Sequence, residues 1–573
     1  MGYGNLRQWI EQLRKEKDLA VIDTPVDPCL ELAEIHRRVI QEDGPALLFT
    51  KVKGTPFPVA TNLFGTARRV DQAFGPRPEK LMKSLLSAAE TLLPPTLSGV
   101  WNEKGMLLDL LKVGIKNVSQ GEAPVLGTCL NKDSLKDLPR LISCREEGGA
   151  FVTLPLVYTE GMNNSRNHNL AMHRVQIYND NTTGIHWKNH RGGGFHHHEA
   201  KLSGEALPVS IFIGGPPALI AAAMAPIPER IPELLFASMA LGGRLPMVKD
   251  PMGGHAIPAE AEFAIRGLVP PNEGNISVMH IQRMWHRKDA IYPATILGSP
   301  RQEDYYLGDF MQRLMAPAYL LVMPSVRSLW TYSESGSRPL ASAVVRESYS
   351  REALVSAFRI LGEGQLSQTK FLLVTNEPVD LSDFTKLLET VLERFNPAVD
   401  LLILNKTSYE ELDSNDQIIN YGSKGIMMGI GSPVRDLPRI YDEGLIPGIH
   451  EVLPFCGGCL AVSGASYEED PTMPQRLVTI LRERETSWPL IIIVDHAAEA
   501  VKSQASFLWA VFNHFNPATA TYAESEVVNH HISYKLPIVL DARKKPGYCD
   551  ELLPNEDIAK RVNQNWNKYF PTA

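Results

Sequence analysis

Cysteine is scarce. Six in 573 residues (Cys29, Cys129, Cys144, Cys456, Cys459 and Cys549) are too few for a disulfide framework, so the thiols are expected to be reduced and stability to come from hydrophobic cores. The close pair Cys456-Gly-Gly-Cys459 has no second pair or histidines at ligand spacing beside it, and reads as a turn between small residues rather than a zinc site. A long unbroken apolar run is also missing. The most apolar stretch, Leu207 to Pro228, is interrupted by Gly214-Gly215-Pro216-Pro217, which suits a buried strand, turn and helix and argues against a membrane span. Charge of neither sign dominates: a net charge of -8 with 21% charged residues argues against general polyanion binding, and nucleic acid is not an expected partner. The first residues, MGYGNLRQWIEQLRKEKDL, form an amphipathic helical pattern without the apolar core or cleavage site of a signal peptide, so a cytoplasmic protein is expected.

What is present is enough chain for three or four domains at roughly 150 residues each. The first hundred residues alternate helical and strand patterns: a helix through Leu19, a strand at Ala20 to Ile22, a helix at Leu30 to Gln41 and a short buried strand at Ala46 to Phe49. From about Val125 to Met323 strand-like runs dominate (Val152 to Tyr158, Val209 to Ile213, Ile276 to Ile281), as in a sheet or barrel layer. The C-terminal third carries an echo. Phe371-Leu-Leu-Val-Thr375 precedes Arg394-Phe-Asn-Pro397, and Ile491-Ile-Ile-Val-Asp495 precedes His514-Phe-Asn-Pro517. A buried strand, an amphipathic helix and a proline stop repeated about 120 residues apart suggest two related α/β units.

The densest chemistry lies between Asn163 and Glu199, which holds seven of the sixteen histidines and Gly192-Gly193-Gly194. Alternation in Leu170 to Tyr178 and Thr183 to Lys188, around Asn179-Asp180-Asn181, predicts a hairpin with Met172, Arg174 and Gln176 on one face and His173 on the other. Arg191 with the triple glycine offers a guanidinium and unhindered amides, a combination that holds phosphate. His196-His197-His198 would alternate on an extended chain and is not expected to share one metal.

These residues carry a resemblance. The runs Asn169-Leu-Ala-Met-His-Arg174, His186-Trp187, His190-Arg-Gly-Gly193 and Pro208 to Ala218 resemble the UbiD-type decarboxylases that depend on prenylated FMN. Gly44 to Phe49, Asn62 to Thr66, His286 to Pro293 and Gln302 to Gly308 are similar to the same family in the same order. The resemblance implies an α/β protein with an N-terminal α/β module (residues 1–115), a central split β-barrel that binds the flavin (116–325) and a C-terminal α/β oligomerisation region, which the echo divides into a first copy (326–480) and a second copy or extension (481–573). It implies a divalent cation, manganese first and with potassium as a further ion, at Asn169, His190 and Glu233. An amide oxygen, an imidazole and a carboxylate, completed by phosphate and water, suit a manganese-like or magnesium-like ion better than zinc. Flavin contacts fall on Met172, His173, Arg174, His186, Trp187, Lys188, Arg191 and Gly192, and Arg174 would orient the substrate carboxylate.

One departure stands out. Family members carry a P-E-G-P-[FY]-G-[DE] segment with two acids, whereas Pro271-Asn-Glu-Gly-Asn275 here runs directly into Ile276-Ser-Val-Met. Glu273 remains as a partner for Arg174, while the second acid, the family's proton donor, has no counterpart. Arg266 also stands where a glutamate is usual, and Asp250 where a cysteine is usual. The resemblance therefore implies a nonoxidative decarboxylase or carboxylase of a small aromatic or α,β-unsaturated acid, with Arg174 and Glu273 catalytic. A quinone-pathway acid (ubiquinone or menaquinone) leads among substrates. The expected partners are a flavin prenyltransferase as cofactor supplier and further copies of the chain, as a dimer or hexamer. The competing expectation is a noncatalytic flavin-binding scaffold or partner subunit, supported by the missing acid.

Overall fold

The computed structural model describes residues 2–80, 82–84, 112–131, 134–145, 148–162, 164–187, 192–225, 232–271, 277–296, 301–335, 339–407, 422–546 and 555–571. Two compact units result: residues 1–314 with 550–573, and 315–549. Among the described residues no helix is long and apolar enough to cross a membrane.

In the first unit the N-terminal elements follow the hydrophobic pattern, except that the first helix ends at Lys15 and Leu19, expected in the helix, opens the first strand. The helix Leu6–Lys15 is capped by Asn5, whose side chain accepts from the Gln8 amide, and buries Leu6, Trp9, Ile10 and Leu13 at helical spacing. Leu19–Ile22, Ala46–Phe49, Val59–Thr61 and Tyr292–Pro293 form a four-stranded sheet in that order. The helix Glu31–Gln41 follows the first of these strands.

The central sheet has nine strands. Its order is Ala150–Val152, Val175–Ile177, Thr182–Ile185, Ser277–His286, Phe263–Val269, Leu207–Ile213, Leu156–Gly161 and Asn164–Ala171, with Thr128–Leu130 also on Ser277–His286. Every neighbouring pair is antiparallel. The connection from Asn164–Ala171 to Val175–Ile177 explains its shape. Those strands are six spacings apart along the ladder, roughly 29 Å in a flat sheet at about 4.8 Å each. The intervening Met172, His173 and Arg174 let the chain reach only about 14 Å. The sheet therefore curls into a half-barrel that brings its far strand back over Val175–Ile177, and one face becomes the core, with Val157, Val175, Ile185, Val209, Ile211, Ile265 and Met279 buried together.

This corrects two local expectations. Leu170 to Tyr178 is not one strand: the hairpin is Val175–Ile177 with Thr182–Ile185, and Leu170 and Ala171 belong to a different strand. Val152 to Tyr158 is likewise two strands, separated at Thr153-Leu154-Pro155, where proline removes a ladder donor. Within Leu207 to Pro228, the described residues up to Ala225 form, as expected, a strand (Leu207–Ile213), a glycine turn and a helix (Pro217–Met224); residues 226–228 lie outside the described residues.

The second unit holds two five-stranded sheets. One orders Val326–Thr331, Leu340–Val345, Phe371–Thr375, Gly422–Gly429 and Leu401–Thr407; the other orders Ile449–Cys456, Cys459–Gly464, Leu490–Ile493, Ile538–Asp541 and Thr521–Tyr522. The second sheet thus runs on both sides of residue 480. The helix Glu556–Tyr569 returns to the first unit, where Tyr569 Oη and Arg561 Nη2 donate to the two oxygens of buried Glu31 at 2.6 and 2.7 Å.

Candidate functional site

The three-residue crossing Met172-His173-Arg174 is the seam of the half-barrel, and the site assembles around it. His173 and Trp187 are both 6% exposed and meet edge-on with ring centroids 5.2 Å apart. Trp187 stacks on His197 at 5.6 Å and 17°. The Arg174 guanidinium carbon lies 4.5 Å above the Phe151 ring, a cation–π contact that holds a flat, bidentate donor beside apolar surface. The His186 amide donates to the Arg174 carbonyl, tying the second hairpin strand to the seam. Met172 is half-buried and His186 exposed.

Asn169 ends up beside Glu233, sixty-four residues on. Asn169 Nδ2 donates to Glu233 Oε1 at 2.7 Å, and the Leu170 amide donates to Oε2 at 3.2 Å. Glu233 opens the helix Glu233–Leu241, where a carboxylate complements the positive end of the helix dipole. Burial pushes its pKa up despite these donors, so an added cation would be favourable there. The glycines complete the wall. The Gly193 amide donates to Asn169 Oδ1 at 3.0 Å. A Cβ on Gly192, whose φ is +37°, would lie 2.3 Å from Asn169 Cγ, and one on Gly193 would lie 2.8 Å from Trp187 Cζ3. Only glycine lets Asn169 and Trp187 pack this closely against the backbone.

Of the residues singled out from sequence, Asn169 and Glu233 meet, and Met172, His173, Arg174, Trp187 and Gly192 gather at the seam and the helix start. Lys188, His190, Arg191 and Glu273 lie outside the described residues. Among the described residues no group of three or more His, Cys, Asp or Glu side chains is placed to hold a metal; Asn169 is not of those types. The triple glycine is not a free loop: Gly193–Ser203 is a helix. His196 to His198 are therefore helical rather than extended, and they still diverge. His196 Nδ1 is 2.9 Å from Thr159 Oγ1, His197 Nε2 is 3.1 Å from Ser277 Oγ, and His198 is exposed.

A buried network escaped sequence reasoning. Tyr158, Ser210, Arg266 and Arg283 stand in register across four adjacent strands. Opposed arginines on neighbouring strands repel, and Asp250 answers both: its Oδ2 lies 3.3 Å from Arg266 Nη1 and 3.7 Å from Arg283 Nε. Asp250 and Arg266, both singled out from the sequence, are thus partners. Ser210 Oγ lies 3.0 Å from His255 Nδ1. Burial first, then Arg266, lowers the His255 pKa to about 3, so this ring is neutral. Asp250 and Arg266 are sixteen residues apart in the sequence, and their pairing depends on sheet register.

The chain matches the 3-octaprenyl-4-hydroxybenzoate carboxy-lyase N-terminal domain over residues 10–89, its Rift-related domain over 116–300 and its C-terminal domain over 305–429. A Chlamydia pneumoniae protein named as a subunit of 4-hydroxybenzoate decarboxylase is 42% identical over 586 residues, spanning 99% of this chain and 98% of its own. An uncharacterized protein of Archaeoglobus fulgidus is 31% identical over 443 residues, covering 74% of this chain and 91% of itself. The fold is also similar to vanillic acid decarboxylase of Sedimentibacter hydroxybenzoicus in closed form (TM-score 0.64, 21% identity, 78% of this chain and 96% of that one). It is similar, too, to an evolved dimeric form of the UbiD-class enzyme HmfF from Pelotomaculum thermopropionicum in complex with prFMN (TM-score 0.60, 21% identity, 78% and 98%). Three ordered domain matches and relatives along the whole length establish that this chain belongs to the UbiD family of carboxy-lyases.

Proposed function

We propose that the protein is a prenylated-FMN-dependent decarboxylase, or the reverse carboxylase, of a small aromatic or α,β-unsaturated carboxylic acid. The observation that carries this reading is the convergence of Asn169, Glu233 and the side-chain-free backbone at Gly192 and Gly193, beside the seam that holds Arg174. These residues fit the cofactor. Glycine backbone lets Asn169 and Trp187 approach closely, and a buried carboxylate with an amide oxygen supplies hard donors for manganese or magnesium. Asn169, Glu233 and His190 would hold the cation; Met172, His173, Arg174, His186, Trp187, Lys188, Arg191 and Gly192 would line the flavin. Potassium is a further candidate ion.

Prenylated FMN, when bound, supplies the electron sink for loss of carbon dioxide. The chain's own residues do the rest. Arg174 binds and orients the substrate carboxylate through its two-pronged guanidinium, and the buried Trp187 and His173 keep water from the seam. Glu273 is assigned the combined role of Arg174's partner and proton source, replacing the absent family acid. His280, exposed and paired with Thr182 on the neighbouring strand, is the second candidate. The family relatives named as decarboxylases support catalysis over a noncatalytic scaffold. A quinone-pathway acid is the first substrate class to test, with a flavin prenyltransferase supplying the cofactor and a cytoplasmic homo-oligomer as the working form. Residues 1–115, 116–325 and 326 onward serve as the module boundaries, with the central half-barrel as the family's split barrel and a second α/β copy drawn from 449.

The test is purification after co-expression with a flavin prenyltransferase, followed by the flavin's mass and spectrum and by carbon dioxide release on a panel of aryl acids. Prenylated flavin with release on at least one acid is expected; a flavin-loaded protein inactive across the panel overturns catalysis. In the active protein Glu273→Gln should lower turnover about a hundredfold or more, the usual scale of a lost general acid. Near-normal turnover with full flavin content would remove Glu273 from the proton step.

A further inference from the structure

The two sheets of the second unit are built alike. In each, the first pair of strands is antiparallel, the next two pairs are parallel and the last is antiparallel. In each, a helix follows the second strand (Glu352–Gly362, Met473–Glu483), another follows the third (Phe384–Arg394, Gln504–Phe512), and a one-turn helix capped by asparagine comes next (Pro397–Asp400, Pro517–Ala520). Asn396 accepts from the Ala398 amide as Asn516 accepts from that of Ala518.

The burial pattern sharpens the match. Each sheet has a private outer core, against Glu352–Gly362 in one case and Met473–Glu483 in the other. Their inner faces share a single core that contains both second helices. On that shared face Phe371 and Leu373 answer to Leu490 and Ile492. The helix pairs Leu387 and Phe507, and Val391 and Val511, are spaced one residue further, so one residue has entered the strand-to-helix connection of the second copy.

The contacts between the sheets are reciprocal. From the first copy's helix, Glu389 Oε1 accepts from the amide of Gly457 at the tip of the second copy's hairpin (2.8 Å). From the second copy's helix, Gln504 Nε2 donates to Ser382 O (3.0 Å) and faces Glu334 beside the first copy's hairpin, while its Oε1 accepts from the Phe384 amide (2.9 Å). One short helix meets the other copy through Ala398 O and His531 Nε2 (3.0 Å), and the other through the Ala518 amide and Ser423 Oγ (2.9 Å). Phe384 lies within 6.3 Å, centroid to centroid, of Phe455, Phe507 and Phe512. Helix against hairpin and hairpin against helix is the signature of a self-complementary, two-fold interface, here inside one chain.

We propose that residues 449–541 are a duplicate of 326–429 that occupies, within the same chain, the face on which a second copy of the chain would otherwise dock. The inner face of residues 326–429 (Phe384, Leu387, Leu388, Val391, Leu392, Phe395) is too apolar to stand in water. The family's C-terminal domain match ends at residue 429, and the Archaeoglobus relative, which covers only 74% of this chain, accounts for 91% of itself. A chain without the extension must cover that face with something else, and a second copy is the occupant with the complementary shape. The extension makes that partner unnecessary at this surface. The inference stands apart from the proposed activity, because it concerns assembly alone.

The test uses the full chain with Ser382→Cys and Gln504→Cys, in a background with Cys29→Ser, Cys129→Ser and Cys549→Ser, linked by a short bis-maleimide. Ala398→Cys with His531→Cys serves as a second pair at the other end of the interface. Linkage within one chain is expected, seen as chain-sized protein on a denaturing gel with the cross-linked peptide identified by mass, and a native mass by light scattering equal to that of the unlinked protein. Covalent dimers or a fall in native mass on linking would show that the face is used between chains, and failure of both pairs to link would show that the two segments do not face each other within the chain; each outcome overturns the proposal.

Discussion

At the scale of single residues, the site depends on absences of side chain as much as on side chains. Gly192→Ala places a methyl where Asn169 already sits and adds an L-residue at a φ of +37°, so either the helix start or Asn169 must move. Glu233→Ala removes the only carboxylate against Asn169 among the described residues. Both variants should fold, since neither residue lies in the main hydrophobic core. Both should lose metal and flavin together, by at least tenfold in retained stoichiometry. Metal analysis and flavin absorbance on the purified variants check this, and unchanged values for Glu233→Ala would remove it from the cation site. The Asp250–Arg266 pair shows the same logic in reverse: a buried charge persists only with its partner, and removing one member of such a pair typically costs about 3–5 kcal/mol.

At the scale of elements, the helix Glu303–Val322 is anchored by its first residue. Glu303, 1% exposed, accepts from the amides of Phe64 (2.8 Å) and Asn62 (3.3 Å), so a carboxylate on one element satisfies the donors of a tight turn on another. Burial raises its pKa to about 7 against these donors. A carboxyl whose folded pKa lies above its unfolded value contributes stability that is complete below pH of about 4.5 and is lost as pH rises through about 7. Urea unfolding of the native protein should therefore show a component that weakens between those limits. In Glu303→Gln that component should vanish; an unchanged slope would mean the group titrates normally.

At the scale of the whole molecule, the chain leaves its first unit near residue 314 and returns to it at the C-terminus. Tyr569, 3% exposed, and Arg561 close on Glu31, 2% exposed, while Thr24 Oγ1 donates to the Lys568 carbonyl at 2.9 Å. A hydrogen bond to a buried charge is worth about 1.5–3 kcal/mol. Tyr569→Phe should lower stability by about 2 kcal/mol in denaturant titration while leaving flavin binding intact, since the lost hydroxyl bonds to Glu31. A variant as stable as the parent would show that the Tyr569–Glu31 hydrogen bond contributes nothing to holding the C-terminal helix.

The local elements and the chemistry on offer are written in the chain's own pattern of residues. Periodicity marked Leu6–Lys15, Glu31–Gln41, Leu19–Ile22 and Ala46–Phe49, because a helix or strand with one buried face writes its period into the chain. The ordered motifs marked the family, and the Phe-Asn-Pro echo marked the recurring strand and helix. What the sequence could not carry was anything set by distant partners. The seam at Met172 to Arg174 reads as strand because alternation continues through it; only the pairing of its two flanking strands with different neighbours forces the break and curls the sheet. Asn169 meets Glu233, and Asp250 meets Arg266, across strand register that no local spacing encodes. The histidine run reads as extended until Gly193 proves to start a helix. The apolar faces of the two C-terminal sheets are visible in the sequence, but that they meet each other depends on burial between segments about 120 residues apart, and that is a property of the tertiary structure alone.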